Sequence, residues 1–576
     1  MADPQEVLTQ RVQSALGAAF GADYAETDPV IRPSQFADYQ ANAALALAKR
    51  LGRKPRDVAS AIVEHLDVTD VCREVEISGP GFVNLTLRED WIADRTQDLV
   101  GDERRGAPLQ ERQNIPLDYS APNVAKEMHV GHLRTTVVGD ALARTLEFLG
   151  HNVIRQNHIG DWGTPFGMLI EHLLEVGEGS DEAALLKNDP NAFYQGARAK
   201  FDGSEEFAAR ARRRVVALQA GDPETLRLWQ DLIDLSTVYF NKIYDKLDVT
   251  LTDADLAGES TYNDTLGSIC QELEDKGLAV VSEGALCVFL DGFTGREGKP
   301  VPLIIRKSDG GYGYGTTDLA TIKHRAQELK ADRVLYVIGA PQSLHLQMIY
   351  ETARKAGWLG SAQPVHVQIG NVLGGDGKIL RTRSGAPIRL MALLDEAIER
   401  AAKVVADARP DLDEATRAQI AREVGIGAVK YADLSISHDT EYVFDFDRML
   451  ALTGNTGPYL QYATARIRSI FRKGGLEPAE ATGPITVDEP AERTLALALL
   501  GFGPTVVQVG DELVPHRLCA YLFELAQAFT SFYENCPVLK AEDPAVRASR
   551  LALTAATLDT LVKGLDLLGV RSPEQM

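Results

Sequence analysis

DYSAPNVAKEMHVGH, residues 118–132, stands between a short alternating apolar segment and a long amphipathic stretch, with His129 and His132 flanking a Val-Gly pair. Leading into it, Ile115, Leu117 and its own Tyr119 alternate as a strand does. After it, Leu133, Val137, Ala141, Leu142, Leu146 and Leu149 recur at helical spacing up to Gly150. Val153 and Ile154 follow in a second strand-like run, so strand, helix and strand make one parallel crossover unit with the histidine turn at the sheet's carboxyl edge. Ligands of doubly wound sheets bind there. The helix start is expected to offer free backbone N–H groups and the positive dipole end to a phosphate, and Gly131 to admit a nucleotide close to the main chain. His129 and His132, on one helical face, are placed to donate hydrogen bonds to phosphate oxygens as charge develops. Read in isolation, a His-x-x-His pair leaves two other readings open: structural histidines, or a metal site, although no Cys or third His follows at ligand spacing.

The wording SAPNVAKEMHVGHLR is similar to the first signature of class I aminoacyl-tRNA synthetases, usually written HIGH, with Val130 in place of Ile. GHNVIRQNHIGDWGTPFGML, QSLHLQMIYETARKAGW, GKILRTRSG, TGPYLQYATARIRSI and the terminal LLGVRSPEQM extend the likeness over nearly the whole chain, and toward the arginyl-tRNA synthetase family in particular. The resemblance implies an arginine-tRNA ligase: ATP-dependent activation of L-arginine, release of pyrophosphate, and transfer of arginine to the 3′-terminal adenosine of tRNA(Arg). It implies Mg²⁺ accompanying ATP and held mainly by the phosphates. It further implies that tRNA is bound before arginine is activated, and that the protein is a monomer.

A second phosphate-binding candidate is GGDGKILRTRSG, residues 374–385, a Gly-rich turn followed by Lys378, Arg381, Thr382, Arg383 and Ser384. The composition suits either a cationic loop that closes over a triphosphate or an ordinary surface hairpin. By resemblance it holds the place of the second class I signature, usually KMSKS, with Arg383 at the second lysine and Leu380 and Arg381 replacing the first two residues. Arg is not equivalent to Lys as a point contact to phosphate. The family offers a replacement just before the first signature, which matches Lys126.

A guanidinium substrate asks for planar carboxylates and an aromatic hydroxyl. Asp118, Tyr314 and Asp318 supply these groups, and the resemblance matches Tyr314 and Asp318 to a substrate-binding pair. From the residues alone, a cap for the following helix is the slightly favoured reading of Asp318, and the resemblance reverses it. Asn123 and Gln342 match family residues that hold the substrate's α-amino and carbonyl end, leaving its carboxylate free to attack ATP. Toward the carboxyl terminus Tyr459, Tyr462 and Arg466 fall on one helical stripe. Such a stripe is either bundle core or, by family placement, a surface on which anticodon bases stack while Arg meets phosphate.

The 576 residues, 45% of them hydrophobic, suffice for several domains with cores of their own. The expected class is α/β: an N-terminal α/β domain (1–110) that contacts the tRNA elbow by resemblance, and a Rossmann-type parallel-sheet catalytic domain (111–400) interrupted by a connective insertion at about 175–300. A helical junction (401–453) and an all-α anticodon-binding bundle (454–576) follow. The polar residues 101–113 read as a linker. No apolar run approaches a membrane span, and MADPQEVLTQRV lacks the blocks of a secretory leader, so a cytoplasmic protein without a membrane partner is expected. Cys72, Cys270, Cys287, Cys519 and Cys536 are scattered, which points to neither a disulfide framework nor structural zinc. The net charge of -22 with pI near 5.0 argues by itself against a polyanionic partner. Charge distribution matters more than its sum: residues 49–56 (KRLGRKPR), 210–214 (RARRR) and 465–473 (ARIRSIFRK) are local cationic patches. They suit RNA, with no DNA partner expected, or serve as solvated helix faces.

Overall fold

The computed structural model describes residues 3–295, 298–381, 385 and 387–576. Its centre is a four-stranded sheet ordered Gln363–Ile369, Arg333–Gly339, Asn114–Asp118, Asn152–Gln156, with every neighbouring pair parallel. Ile115, Leu117 and Tyr119 are fully buried because Asn114–Asp118 is an interior strand covered on both faces. The chain leaves that strand for the Asn152–Gln156 side and later returns on the Arg333–Gly339 side. Strand order therefore reverses between Asn114–Asp118 and Arg333–Gly339, which makes their carboxyl ends the switch-point crevice.

The crossover helix, Val130–Phe148, is buried around most of its circumference. Besides Leu133, Val137, Leu142 and Leu146 it buries Arg134, Thr136, Asp140 and Thr145, because the C-terminal helices pack on the side away from the sheet. Arg134 Nε meets Asp433 at 2.7 Å, with both side chains inaccessible, and Arg134 also donates to the carbonyls of Gly370 and Thr440. Gly139 lies mid-helix, where it costs about 1 kcal/mol relative to Ala. A Cβ there would stand 2.3 Å from that of Tyr119, so the glycine is what lets helix and strand touch.

After Asn152–Gln156 the chain runs through the helices Thr164–Val176, Asp181–Asn188, Pro190–Gly203, Glu205–Gln219 and Pro223–Leu247. Ser180, Asp189, Ser204 and Asp222 each cap the helix that follows, accepting a backbone N–H with the side chain. A separate antiparallel sheet follows, Ala279–Ser282, Ala285–Thr294 and Pro300–Arg306, with its own apolar cluster. Helix Tyr314–Gln327 then leads back to the central sheet.

The N-terminal unit is a four-stranded antiparallel sheet, ordered Ile31–Pro33, Tyr39–Ala41, Phe82–Leu87, Cys72–Ser78, with helices Pro4–Phe20, Ala43–Leu51 and Pro55–Glu64. The supposed linker behind it is a packed strap. Ala107 is fully buried, Arg104 donates to the carbonyls of Ala107, Pro108 and Phe148, and Arg105 pairs with Asp559 at 3.1 Å. Composition made these residues look like a tether; their backbone-directed arginines fix them in place.

Helices Leu390–Ala408 and Glu414–Leu434 join the sheet to a bundle of five, Gly457–Gly474, Pro490–Leu500, Phe502–Glu512, Pro515–Asn535 and Pro544–Leu567. Residues 490–512 have the length and composition to cross a membrane, but the chain forms two helices that meet at Gly501 within the bundle, and half of that stretch is buried. The terminal residues fold back along the first bundle helix: Gln461 Nε2 donates to the Arg571 carbonyl, and Arg468 to Ser572 Oγ and the Pro573 carbonyl. All five cysteines are buried free thiols.

Candidate active site

The histidine turn is closed by its own imidazoles. His129 caps the helix, its Nδ1 accepting from Gly131 N at 3.0 Å, while His132 Nδ1 accepts from His129 N at 3.1 Å. The ring centroids lie 4.1 Å apart. An Nδ1 that accepts a backbone N–H carries no proton, so each neutral ring holds its hydrogen on Nε2, leaving one outward donor apiece. Burial lowers both pKa values. His129 is further depressed by Lys126, and His132, beside His129 and Lys126, is pushed down to about 3. Two neutral, oriented donors result.

This arrangement corrects one expectation. Val130 N bonds the Ile388 carbonyl at 2.9 Å, Gly131 N the His129 ring, and His132 N the His129 carbonyl at 2.8 Å. The first turn therefore has no free N–H groups for phosphate at these three positions, and the imidazoles stand in their place. Gly131 also has a more local reason than nucleotide access: a Cβ there would lie 2.8 Å from His129 Cε1, so only glycine lets that ring fold back onto its cap.

The loop before the histidines is held in an uncommon conformation. Ser120, Ala121 and Ala125 all have φ in the left-handed region, at 69°, 48° and 58°. Such backbone persists only when its surroundings over-determine it. Here Ser120 Oγ lies 2.8 Å from Tyr244 Oη and accepts from Thr136, Ala121 N donates to Asn157 Oδ1, and Ala125 N donates to Ser236 Oγ at 2.8 Å. Asn123 is exposed and its amide lies across Gly160, where a Cβ would stand 2.5 Å from Asn123 Oδ1. Lys126 rests with its ammonium 4.4 Å from the Tyr194 ring centroid, a cation–π contact to an insertion helix.

The Gly-rich candidate is a hairpin that returns to this turn. Gly374 N donates to the Lys378 carbonyl, Leu380 N to the Val372 carbonyl, and Leu390 N to the Met128 carbonyl. Arg389 pairs with Glu127 at 2.8 Å and with Asp189 at 3.1 Å. The segment after the second candidate motif is thus stitched to the residues just before His129. Thr382, Arg383 and Ser384 lie outside the described residues.

The carboxyl end of Arg333–Gly339 and the start of helix Tyr314–Gln327 supply the other wall. Gly313 is that helix's N-cap, without a side-chain bond, and Asp318 lies in the second turn, so the capping alternative for Asp318 fails. Its Oδ2 instead meets His345 Nε2 at 2.5 Å. Tyr314, one turn earlier on the same face, is 70% exposed. Gln342 follows the strand in a short 3-10 turn, also exposed and without a capping bond.

Asp118 departs from expectation. It is only 2% exposed, and Oδ2 lies 2.8 Å from the guanidinium of Arg325, itself wholly buried. Arg325 also lies 5.0 Å from the Tyr336 ring centroid, and its nitrogens find no aligned hydrogen-bond acceptor among the described residues. The carboxylate expected to receive a substrate guanidinium already faces one from the protein. Arg325 reads in sequence as an ordinary helix cation, and nothing in its spacing announced this pairing.

Sequence reading passed over a further acid at this end of the cleft. Glu259, half-buried in a 3-10 turn, is pushed up to about 8 by burial, with Asp318 and Asp161 adding to the effect. Asp161 anchors that turn, taking Ser260 N at 2.8 Å and Ser260 Oγ at 2.6 Å. Gly258 is required beside it, since a Cβ would stand 2.2 Å from Asp161 Oδ2. Glu259 also raises the pKa of Tyr314, second to burial, and Asp318 acts on both.

Far from the cleft, the bundle stripe divides. Tyr459 packs edge-on against Phe523 at 5.4 Å and Arg466 lies over Tyr533 at 4.9 Å, whereas Tyr462 is 44% exposed. Of the cationic patches, residues 210–214 are largely neutralised: Arg210 contacts Glu171, Glu175 and Glu206, and Arg214 contacts Glu171. Residues 465–473 partly hold the chain terminus. In the N-terminal unit Arg50 stacks on Tyr24, and Phe36, at a loop tip, is 73% exposed.

A parallel sheet whose switch point carries a His-x-x-His turn, with a helical insertion and a trailing helical bundle, defines a class I aminoacyl-tRNA synthetase. The family description "tRNA synthetases class I (R), catalytic domain" matches residues 95–446, "Arginyl tRNA synthetase N terminal domain" residues 6–87, and "DALR anticodon binding domain" residues 460–576. The arginine–tRNA ligase of Thermobifida fusca (strain YX) is 81% identical over 576 residues, covering 100% of both chains, and that of Frankia casuarinae is 51% identical over 582 residues, covering 99% of each. The crystal structure of arginyl-tRNA synthetase from Plasmodium falciparum matches with a TM-score of 0.85 at 28% identity, covering 100% of both chains. The chain belongs to the arginyl-tRNA synthetase family.

Proposed function

We propose that this protein is an arginine-tRNA ligase of the cytoplasm whose cleft binds the ATP triphosphate at the histidine turn and the arginine side chain between Asp318 and Glu259. The observation that carries this reading is the meeting, in one cleft, of two neutral imidazole donors with two carboxylates, Asp318 in contact with His345 and Glu259 without a partner among the described residues. Asn123 and Gln342, exposed on either side of the switch point, hold the α-amino and carbonyl end of arginine. Asp118 serves beneath the pocket as the counterion of Arg325.

The arginine carboxylate attacks the α-phosphorus, the bond to the β,γ-phosphates breaks, and pyrophosphate leaves. A hydroxyl of the 3′-terminal adenosine of tRNA(Arg) then attacks the carbonyl carbon and AMP leaves. No general base is needed for the first step, since the attacking carboxylate is already ionised; positioning and charge stabilisation dominate. His129 and His132 donate from Nε2 to oxygens on which charge grows, and Lys126, drawn from Tyr194, meets phosphate together with Arg383, Thr382 and Ser384. Among the described residues no group of three His, Cys, Asp or Glu side chains is arranged to hold a metal. Mg²⁺ would enter with ATP, held mainly by its phosphates and water.

The bundle takes the anticodon arm, with Tyr462 as the exposed stacking surface and Tyr459 and Arg466 behind it; the N-terminal unit takes the tRNA elbow through its exposed loop at Phe36. The protein acts as a monomer and activates arginine once tRNA is bound. ATP–pyrophosphate exchange with each amino acid, with and without tRNA, tests substrate and partner together. Arginine-dependent exchange that requires tRNA is expected; exchange with another amino acid and none with arginine would overturn the assignment.

A further inference from the structure

The start of the insertion helix Pro190–Gly203 is built against the residues just before the histidine turn. Asp189 caps the helix, accepting from Ala192 N at 3.1 Å. Phe193 and Ala197, four apart, are fully buried on the face toward the rest of the insertion, where the Phe193 ring centroid lies 4.7 Å from that of His172. Asn191 and Tyr194, three apart, occupy another face and meet residues 126 and 127. Asn191 grips Glu127 twice: its Nδ2 donates to Oε2 at 2.8 Å, and its Oδ1 accepts from Glu127 N at 3.3 Å. Glu127 and Asp189 also share Arg389, at 2.8 and 3.1 Å, so the helix start is held against the peptide that joins Lys126 to Glu127.

Lys126 stands against that fixed frame. Its ammonium lies 4.4 Å from the Tyr194 ring centroid, and among the described residues it makes no ion pair and no hydrogen bond. The kind of partner matters. A carboxylate would neutralise the cation and occupy its donors, whereas a ring face attracts it through the quadrupole and leaves its net charge intact. A free ammonium on a four-carbon stem would carry rotamer freedom that is lost on meeting a phosphate; a stem already resting on a ring has less to lose. The charge is felt at the histidine turn, where burial first and Lys126 second depress the pKa of His129.

Resting on the function proposed above, we propose that Tyr194 is a positioning residue for arginine activation: its ring holds the Lys126 ammonium beside the histidine turn, oriented and still charged, until ATP takes it over. Tyr194 touches no reacting atom in this role and acts through Lys126. The insertion thereby contributes to the phosphate end of the cleft, with Asn191 fixing the backbone and Tyr194 the side chain.

The test is ATP–pyrophosphate exchange by the full-length protein with arginine and tRNA(Arg). Tyr194→Phe keeps the ring face and should stay within about twofold of wild type, whereas Tyr194→Leu should lose roughly tenfold in kcat/KM for ATP with the arginine KM unmoved. In a Lys126→Met background the same leucine substitution should cost no more than about twofold, because the cation it serves is gone. Progressively fluorinated analogues of Tyr194→Phe keep the ring's shape while erasing its negative face, and exchange should fall with each added fluorine; this series reads out even where the leucine variant fails to fold. An equal Tyr194→Leu loss in both backgrounds, a Tyr194→Phe enzyme as slow as Tyr194→Leu, or a flat fluorination series overturns the proposal and leaves the functional reading standing. Undiminished exchange by Lys126→Met removes Lys126 from the phosphates and overturns both.

Discussion

The two ends of the cleft handle charge in opposite ways. At the histidine turn ring nitrogens accept backbone N–H groups, backbone N–H groups are used up, and burial keeps both imidazoles neutral. At the amino-acid end, carboxylates from three separate segments are brought together and one is left without a partner. A site for a polyanion whose charge grows during reaction needs fixed donors that require no reorganisation. A site for a preformed cation needs charge in waiting. The first is a local motif, the second a product of the whole topology.

The largest effect is expected from the charged end. Asp318→Ala removes a carboxylate from the proposed guanidinium site, leaving the substrate without its main partner, and should raise the arginine KM by roughly several hundred-fold. The KM for ATP should stay close to wild type. Steady-state exchange kinetics checks both numbers; an unchanged arginine KM would place the guanidinium elsewhere and dissolve the contrast between the ends.

At the neutral end His132→Ala deletes one transition-state donor, and kcat for activation should fall by about 10²-fold or more, with little change in tRNA affinity. The same comparison predicts a split pH profile. Because His132 remains neutral far below pH 6, kcat should show no limb from its ionisation between pH 6 and pH 9, while kcat/KM for arginine should fall by about fivefold from pH 8 to pH 7 as Glu259 protonates. A bell-shaped kcat centred near neutrality would show that one imidazole acts as an acid or base.

How far each end was legible in the sequence follows from the same difference. His129, His132, Gly131 and Lys126 lie within seven residues of one another, so spacing and a strand-helix junction announce them, and the sheet around them was readable from alternation and helical period. Glu259 sits in an irregular turn between Gly258 and Ser260, and its significance depends on Asp161 and Asp318, roughly 100 and 60 residues away. Arg325 is indistinguishable by pattern from the surface cations around it, yet its burial decides what Asp118 can do. The signature helix shows the same limit: apolar spacing marked one face, whereas Arg134 and Asp140 are buried on others because distant helices supply their partners.

The smallest predicted effect is the most local. Gly131→Ala adds one methyl group at a helical position whose backbone accepts any residue, so helix propensity alone predicts a slight gain in stability. Its Cβ would stand 2.8 Å from His129 Cε1 and 2.9 Å from Nδ1, closer than contact allows, and the ring must swing off its cap. The bond from Gly131 N is then lost, and with it the constraint that keeps the proton on the outward Nε2. A displacement of this size at a reacting site costs roughly tenfold in kcat, less than removing a donor outright. The arginine KM and its pH slope, set at the other end of the cleft, should not move. A Gly131→Ala enzyme with normal kcat would mean that the His129 cap is dispensable and that His132 alone supplies the donor at this end.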